Sequence, residues 1–186
     1  KDAGMLIRVA YQAMLELGID ADQVLQLCNF RLDKLYNNKL RTPHWAQGVF
    51  WEAAETISGD PHIGLHIGEK IPLSKGLVLE YLLISAANYG EGFRRISRYQ
   101  RLISDAITTT LVEQADEAYL TFSYPDVKSN QLVDATLVAI IHSLLAIGGN
   151  TLKPIRIDLA HAGFGDIEIY NTLLGCPVIF NQSENR

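Results

Sequence analysis

The chain has 186 residues, 48% of them apolar and 20% charged, which fits one globular domain with a sizeable core rather than a disordered or fibrous chain. Sixteen Lys and Arg against 21 Asp and Glu give a net charge of −5, the wrong sign for a protein whose own surface holds nucleic acid or an acidic membrane. Two cysteines, Cys28 and Cys176, are too few for a disulfide framework and have no zinc-site spacing. They read as small buried apolar residues of a reducing compartment. The longest apolar run, 132–147, is interrupted by Asp134, Thr136, His142 and Ser143, and falls short of the ~20 residues that a membrane span needs. Residues 1–4 precede no cleavable apolar segment. The chain starts without Met and stops at Arg186 directly after an apolar run, so it reads as a piece of something longer.

The first half is predicted helical. Leu6, Val9, Ala10, Ala13, Met14 and Leu17 recur at the spacing of one helical face, and Gly18 follows as a C-terminal glycine. Asp20 with Gln23 three positions on has the form of a capping box for a short helix through Cys28. Two helices across so short a turn could suggest a helix-turn-helix DNA reader, but Asp20 and Asp22 would then face phosphate. Thr42-Pro43 reads as an N-cap followed by a first-turn proline, opening a helix with an Ala46, Val49, Phe50, Ala53, Ile57 stripe that ends at Gly59-Asp60-Pro61. A helix over 61–69 follows. The run 77–87 is apolar nearly all round and predicts a buried helix; Asn88-Tyr89-Gly90 breaks it, and a further helix runs over 91–104. The period then changes to two: strands over 106–114 and 118–124 flank the turn at Ala115, Asp116 and Glu117 and predict a hairpin. A long helix over 130–148, a strand over 155–159, a helix over 166–174 closed by Gly175 and a strand over 178–180 complete the order. The class is α+β: an N-terminal helical lobe, then a small, mostly antiparallel sheet (β-β-α-β-α-β) with helices packed on it, forming a single domain over 1–186.

No catalytic template fits. There is no nucleophile elbow, no cysteine with a histidine beside it and no phosphate loop, since Gly90-Glu91-Gly92 lacks the third glycine and a preceding strand. His62 and His66, four apart, could grip a metal from one helix face, but the third ligand could only be Glu69; ordinary surface histidines are the expectation, with no metal and no cofactor. His142 in the long apolar helix reads as a core histidine or a polar group inside a ligand cavity. Arg94, Arg98 and Arg101 share one side of their helix, with Arg95 beside them. They are read as a solvated face paired with carboxylates, with an anion-binding wall or a contact surface as the functional alternatives. Glu80 is the lone ionisable residue between 76 and 91; it must either reach solvent or meet a partner. Trp51, Tyr81, Tyr99, Phe122 and Tyr124 add large rings that suit a core or a pocket.

The order of several short motifs resembles one family. Phe50-Trp51-Glu52-Ala53-Ala54, then Gly59-Asp60-Pro61-His62-Ile63-Gly64-Leu65-His66-Ile67-Gly68, is similar to a Trp-x-Ala-Ala and Gly-Asp-Pro-x-Leu-Gly-Leu-x-Leu-Gly signature. It belongs to AraC/XylS transcription regulators with an N-terminal domain of the arabinose-binding type. The likeness continues through Gly76-Leu77, Tyr81, Gly90-Glu91-Gly92-Phe93-Arg94 and Arg98-Tyr99 to Leu173-Leu174-Gly175-Cys176-Pro177-Val178. Glu80 departs from it where a small residue is expected, and Asn88-Tyr89 replaces a Pro-Thr-like turn. The resemblance implies a non-enzymatic, cytoplasmic effector-sensing domain that forms a homodimer and reaches DNA only through a C-terminal helix-turn-helix module absent from this chain. It implies an unknown small-molecule effector, not arabinose in particular. The expected ligand residues are Trp51, Glu80, Tyr81, Arg98, Tyr99, Phe122 and Tyr124, with the ligand between the 76–87 helix, the arginine helix and the 106–124 hairpin, and an anionic group, if present, on Arg98. A ligand-free interaction and dimerisation module and a haem or gas sensor are the alternatives.

Overall fold

The computed structural model describes residues 1–72, 78–125, 127–148 and 152–186. The chain forms two compact units, Lys1–Pro72 with Asp126–His142, and Leu73–Pro125 with Ser143–Arg186.

In the first unit, α1 (Met5–Glu16) buries Ile7, Val9, Ala10, Tyr11, Ala13 and Met14, and Gly18 takes the left-handed conformation beyond it. The Asp20 carboxylate accepts from the Gln23 backbone N–H at 2.9 Å and opens α2 (Ala21–Leu27), as the capping pattern predicts. Tyr11 donates its hydroxyl to Asp22 at 2.8 Å, tying α1 to α2. Burial, and then Asp22 itself, push this phenol up to about 12, because both disfavour a phenolate. Two short features are not predicted: α3 (Leu32–Leu35) and an antiparallel pair of two-residue strands, β1 (Asp2–Ala3) and β2 (Arg41–Thr42). That pairing corrects the reading of Thr42-Pro43. Thr42 is drawn into β2, its hydroxyl donating to the Asp2 carbonyl at 3.4 Å, and α4 (Trp45–Ser58) starts at Trp45 without a side-chain cap. Its buried face is Gln47, Phe50, Trp51, Ala53 and Ala54, rotated from the predicted stripe so that Val49 is exposed.

Gly59 closes α4 at φ +63°, a conformation that costs glycine nothing. α5 (Ile63–Lys70) then lies against the start of α8 (Asn130–Gly148). Two glycines permit this close approach. A Cβ on Gly64 would fall 2.3 Å from the Gln131 carbonyl oxygen, and one on Gly68 would fall 2.7 Å from the Val138 Cβ. Gln131 also accepts from the Gly64 N–H at 2.8 Å and donates to the Pro61 carbonyl at 2.9 Å, bracketing the start of α5. The Gly-Asp-Pro-x-x-Gly-x-x-x-Gly run is therefore a helix stop, a turn and a helix-crossing surface in one stretch.

In the second unit, α6 (Val78–Ile84) is followed by α7 (Tyr89–Tyr99) and a 3-10 turn, Gln100–Leu102. The predicted 77–87 helix stops at Ile84, and Gly76 and Leu77 lie outside the described residues. Asn88 accounts for the early restart: its side chain accepts from the Glu91 N–H at 2.9 Å and caps α7. The expectation of a buried helix is also corrected. α6 lays Leu83 against Gly92 of α7, where a Cβ would come within 2.5 Å, but Val78, Tyr81 and Ile84 remain exposed. An apolar run does not bury itself when only one of its faces meets a neighbour.

The hairpin forms as predicted, β3 (Thr108–Glu113) against β4 (Ala118–Ser123), in register from Thr108 opposite Ser123 to Glu113 opposite Ala118. β5 (Ile157–Asp158) and β6 (Val178–Ile179) pair in parallel, with α9 (Glu168–Leu174) between them and Gly175 as its left-handed stop. Among the described residues the predicted antiparallel sheet is thus two separate two-stranded pairs, β3–β4 antiparallel and β5–β6 parallel, within an α+β fold. Residues 185–186 run between these two pairs: Phe122 N–H donates to the Asn185 carbonyl, and Asp158 and Arg186 exchange backbone bonds of 2.8 and 2.9 Å. The aromatic core here is Tyr170, edge-on to Phe180 at 5.0 Å and to Phe164 at 6.3 Å. Among the described residues no helix is long and apolar enough to cross a membrane.

Candidate functional site

The predicted ligand residues divide between the units. Trp51 belongs to the first; Glu80, Tyr81, Arg98, Tyr99, Phe122 and Tyr124 belong to the second.

Trp51 is 3% exposed, with its ring edge-on to Phe50 at 5.7 Å. Among the described residues its indole Nε1 has no hydrogen-bond acceptor, and neither has the Nε2 of Gln47, one turn earlier on the same helix. The large majority of buried side-chain polar atoms are hydrogen-bonded, so this pair of neighbours stands out. Sequence reasoning missed Gln47, because a single glutamine beside an apolar stripe looks like a surface residue.

In the second unit, Glu80 is buried at 7% exposure, whereas Tyr81 is 53% exposed. Helical rotation by one residue separates them by 100°, and the carboxylate takes the inward side. Phe122 is buried on β4, Tyr124 is half-buried beyond it, and Arg98 and Tyr99 are exposed. The Arg98 guanidinium carbon lies 5.8 Å from the Tyr99 ring centroid, within cation–π range. Arg94 pairs with Glu113 and Arg95 with Glu91, which is the solvated, carboxylate-paired face that composition favours. Exposed pairs of this kind add little stability. Glu91 also accepts from the Ala87 N–H; that bond and Arg95 hold its carboxyl below the usual range. Gly90-Glu91-Gly92 is accordingly a helix start and a packing contact, with Gly92 against Leu83.

The histidine pair and Glu69 form no cluster of metal ligands among the described residues. His62 is buried at the start of α5 and its backbone N–H donates to Asp60 at 2.8 Å. His66 holds the other Asp60 oxygen through Nδ1. Among the described residues no three His, Cys, Asp or Glu side chains converge on one point. Both thiols are free. Burial pushes Cys28 up to about 11 and raises Cys176, so neither offers the thiolate that a nucleophile requires. A cleft of about 510 Å³ opens over Glu52, Glu55, Thr56, Gly59 and Pro61. It is a wide-mouthed acidic depression, unlike the mostly apolar enclosure that suits a small organic ligand.

The comparisons with known proteins show what the chain is similar to. The chain is 25% identical over 177 residues to the ornithine utilization regulator of Pseudomonas aeruginosa, covering 94% of this chain and 49% of that protein. It therefore spans about half the length of this curated relative. Residues 18–186 match the family model described as the arabinose-binding domain of AraC transcription regulators, N-terminal. With nearly its whole length accounted for in that way, the chain belongs to the family of N-terminal arabinose-binding domains of AraC transcription regulators.

Proposed function

We propose that this chain is the effector-sensing and dimerising half of an AraC-type regulator, relaying small-molecule binding to a helix-turn-helix DNA-binding part carried elsewhere in a longer protein. The observation that carries this reading is the family match over residues 18–186 of a chain that covers half of a full regulator. The net charge of −5 suits a receiver that leaves phosphate contact to another part. The work is cytoplasmic, with a homodimer as the functional unit. The name of the Pseudomonas relative makes ornithine and kindred amino acids the first effectors to try.

A ligand shifts an equilibrium only through its different affinities for two states, so a sensor needs an enclosed contact and a surface that reports on it. Trp51, withdrawn from solvent, suits the enclosed contact. Tyr81, Arg98 and Tyr99, standing on the surface of α6 and α7, suit the reporting surface, since a bound metabolite is normally ~70–90% buried. Glu80 and Phe122 are buried in the same unit, and Tyr124 is half-buried there.

In a promoter-reporter assay with the full-length regulator, Tyr81→Ala and Arg98→Ala should each cut the effector response severalfold. Effector binding, read as a thermal shift, should stay at the parent level. Two variants that respond like the parent would remove the surface from this reading.

A further inference from the structure

We infer that Gln47 and Trp51 form a recognition pair for the carboxylate of the effector. This deepens the proposed sensing role and rests on it. The two residues sit four apart on α4, so their side chains leave the same face of the helix, one above the other. Gln47 is 2% exposed and Trp51 3%. Each carries an N–H-bearing nitrogen, Nε2 and Nε1 respectively, that is sealed from solvent and has no acceptor among the described residues. A buried donor left unpaired weakens a fold. Two of them on adjacent turns mark a place that an acceptor from outside the described residues would complete.

The chemistry selects the class of group that fits. An ammonium or another N–H would meet donor with donor. A carboxylate is acceptor-only, with two oxygens and about four lone-pair directions, and can receive both N–H groups at once. The position favours negative charge as well. Gln47 lies in the first turn of α4, a helix of 14 residues whose N-terminus has no side-chain cap, and a helix start carries a partial positive charge. The apolar residues Phe50, Ala53 and Ala54 on the same buried face keep water away, which strengthens a charge-assisted bond.

The chain contains two tryptophans, Trp45 and Trp51, and Trp45 is 65% exposed. A Trp45→Phe variant of the 186-residue chain therefore leaves the Trp51 indole N–H as a lone nitrogen-15 resonance. It is titrated with L-ornithine, benzoate and hexanoate, each set against a counterpart without the carboxylate: putrescine, benzyl alcohol and 1-hexanol. At least one carboxylate should move the Trp51 resonance downfield while its counterpart leaves it in place. Gln47→Leu should weaken that binding about tenfold or more and leave the unliganded melting temperature equal or higher, since it removes an unpaired donor. Trp51→Phe should weaken it comparably.

The pair is ruled out if no carboxylate moves the resonance, as would happen if a trapped water held the N–H throughout. It is equally ruled out if Gln47→Leu binds as the parent does, or lowers the unliganded melting temperature as loss of a structural glutamine would. A compound that stabilises the chain without touching the Trp51 resonance overturns the pair and leaves the sensing role standing. A chain that no compound of any class stabilises loses both.

Discussion

Gly64→Ala should destabilise the first unit more than any other single-methyl addition in it. The new Cβ would lie 2.3 Å from the Gln131 carbonyl oxygen and 2.7 Å from its Cα. These are backbone atoms of a long helix and cannot swing aside as a side-chain tip can. Overpacking a tight contact costs about 1–3 kcal/mol, more where nothing yields, so about 3 kcal/mol or more is expected, a fall in melting temperature of about 10 °C for a chain of this size. Gly68→Ala meets the Val138 Cβ at 2.7 Å and the Ala135 oxygen at 3.0 Å, and should cost somewhat less. Gly59→Ala provides the internal contrast. Nothing lies within 4 Å of its Cβ, but φ is +63°, so it should lose only about 1 kcal/mol from backbone strain. Calorimetry should rank the losses Gly64, Gly68, Gly59; a Gly64 variant as stable as the Gly59 variant would contradict the described approach of α5 to α8.

Tyr170→Ala should be the counterpart in the second unit. Tyr170 is 0% exposed, and its ring lies edge-on to Phe180 and Phe164 with His161 beside it at 6.4 Å. Removing a fully buried aromatic ring forfeits its transfer energy and leaves a cavity, together about 3–5 kcal/mol. The loss should appear in urea unfolding as a lower midpoint, with the near-ultraviolet signal of the ring cluster weakened. An unfolding free energy within about 1 kcal/mol of the parent, below the usual cost of such a truncation, would mean that the cluster is not the core of this unit.

Where local chemistry decides the structure, the amino-acid order was readable. Asp20 caps α2, Gly59 and Gly175 stop their helices, and the alternating residues on either side of Asp116 pair as a hairpin. Legibility failed where a distant partner decides. Thr42 and Pro43 have the chemistry of a helix start, yet β1 pairs with Thr42 across forty residues of chain, and no local pattern encodes that. The strands β5 and β6 fall inside the predicted 155–159 and 178–180 segments, but their parallel pairing depends on how the chain returns through α9 and is not encoded locally. α6 leaves Val78, Tyr81 and Ile84 exposed despite its apolar sequence, because hydrophobicity reports what would benefit from burial, not which neighbours are present. The arginine face was read correctly as carboxylate-paired for Arg94 and Arg95, since opposite charges close in space pair on any solvated surface.

For the site, Trp51 could be singled out from its residue type, but Gln47 could not. A glutamine is polar in every sequence, and only the rotation of α4 shows that its amide is sealed inside. The split of the predicted residues between exposed Tyr81, Arg98 and Tyr99 and inward Glu80 and Phe122 likewise depends on which face of α6, α7 and β4 meets a neighbour.

The sensing role is tested most directly by the melting temperature of the 186-residue chain against amino acids, sugars, fatty acids, aromatic acids and cyclic dinucleotides. Binding to the folded state alone stabilises it by about 2.7 kcal/mol at a concentration one hundred times Kd, a rise of roughly 5–10 °C. At least one class should produce such a rise, saturating with concentration. A flat response across every class at millimolar concentration, or conversion of any of these compounds to product, would contradict a receiver of small molecules.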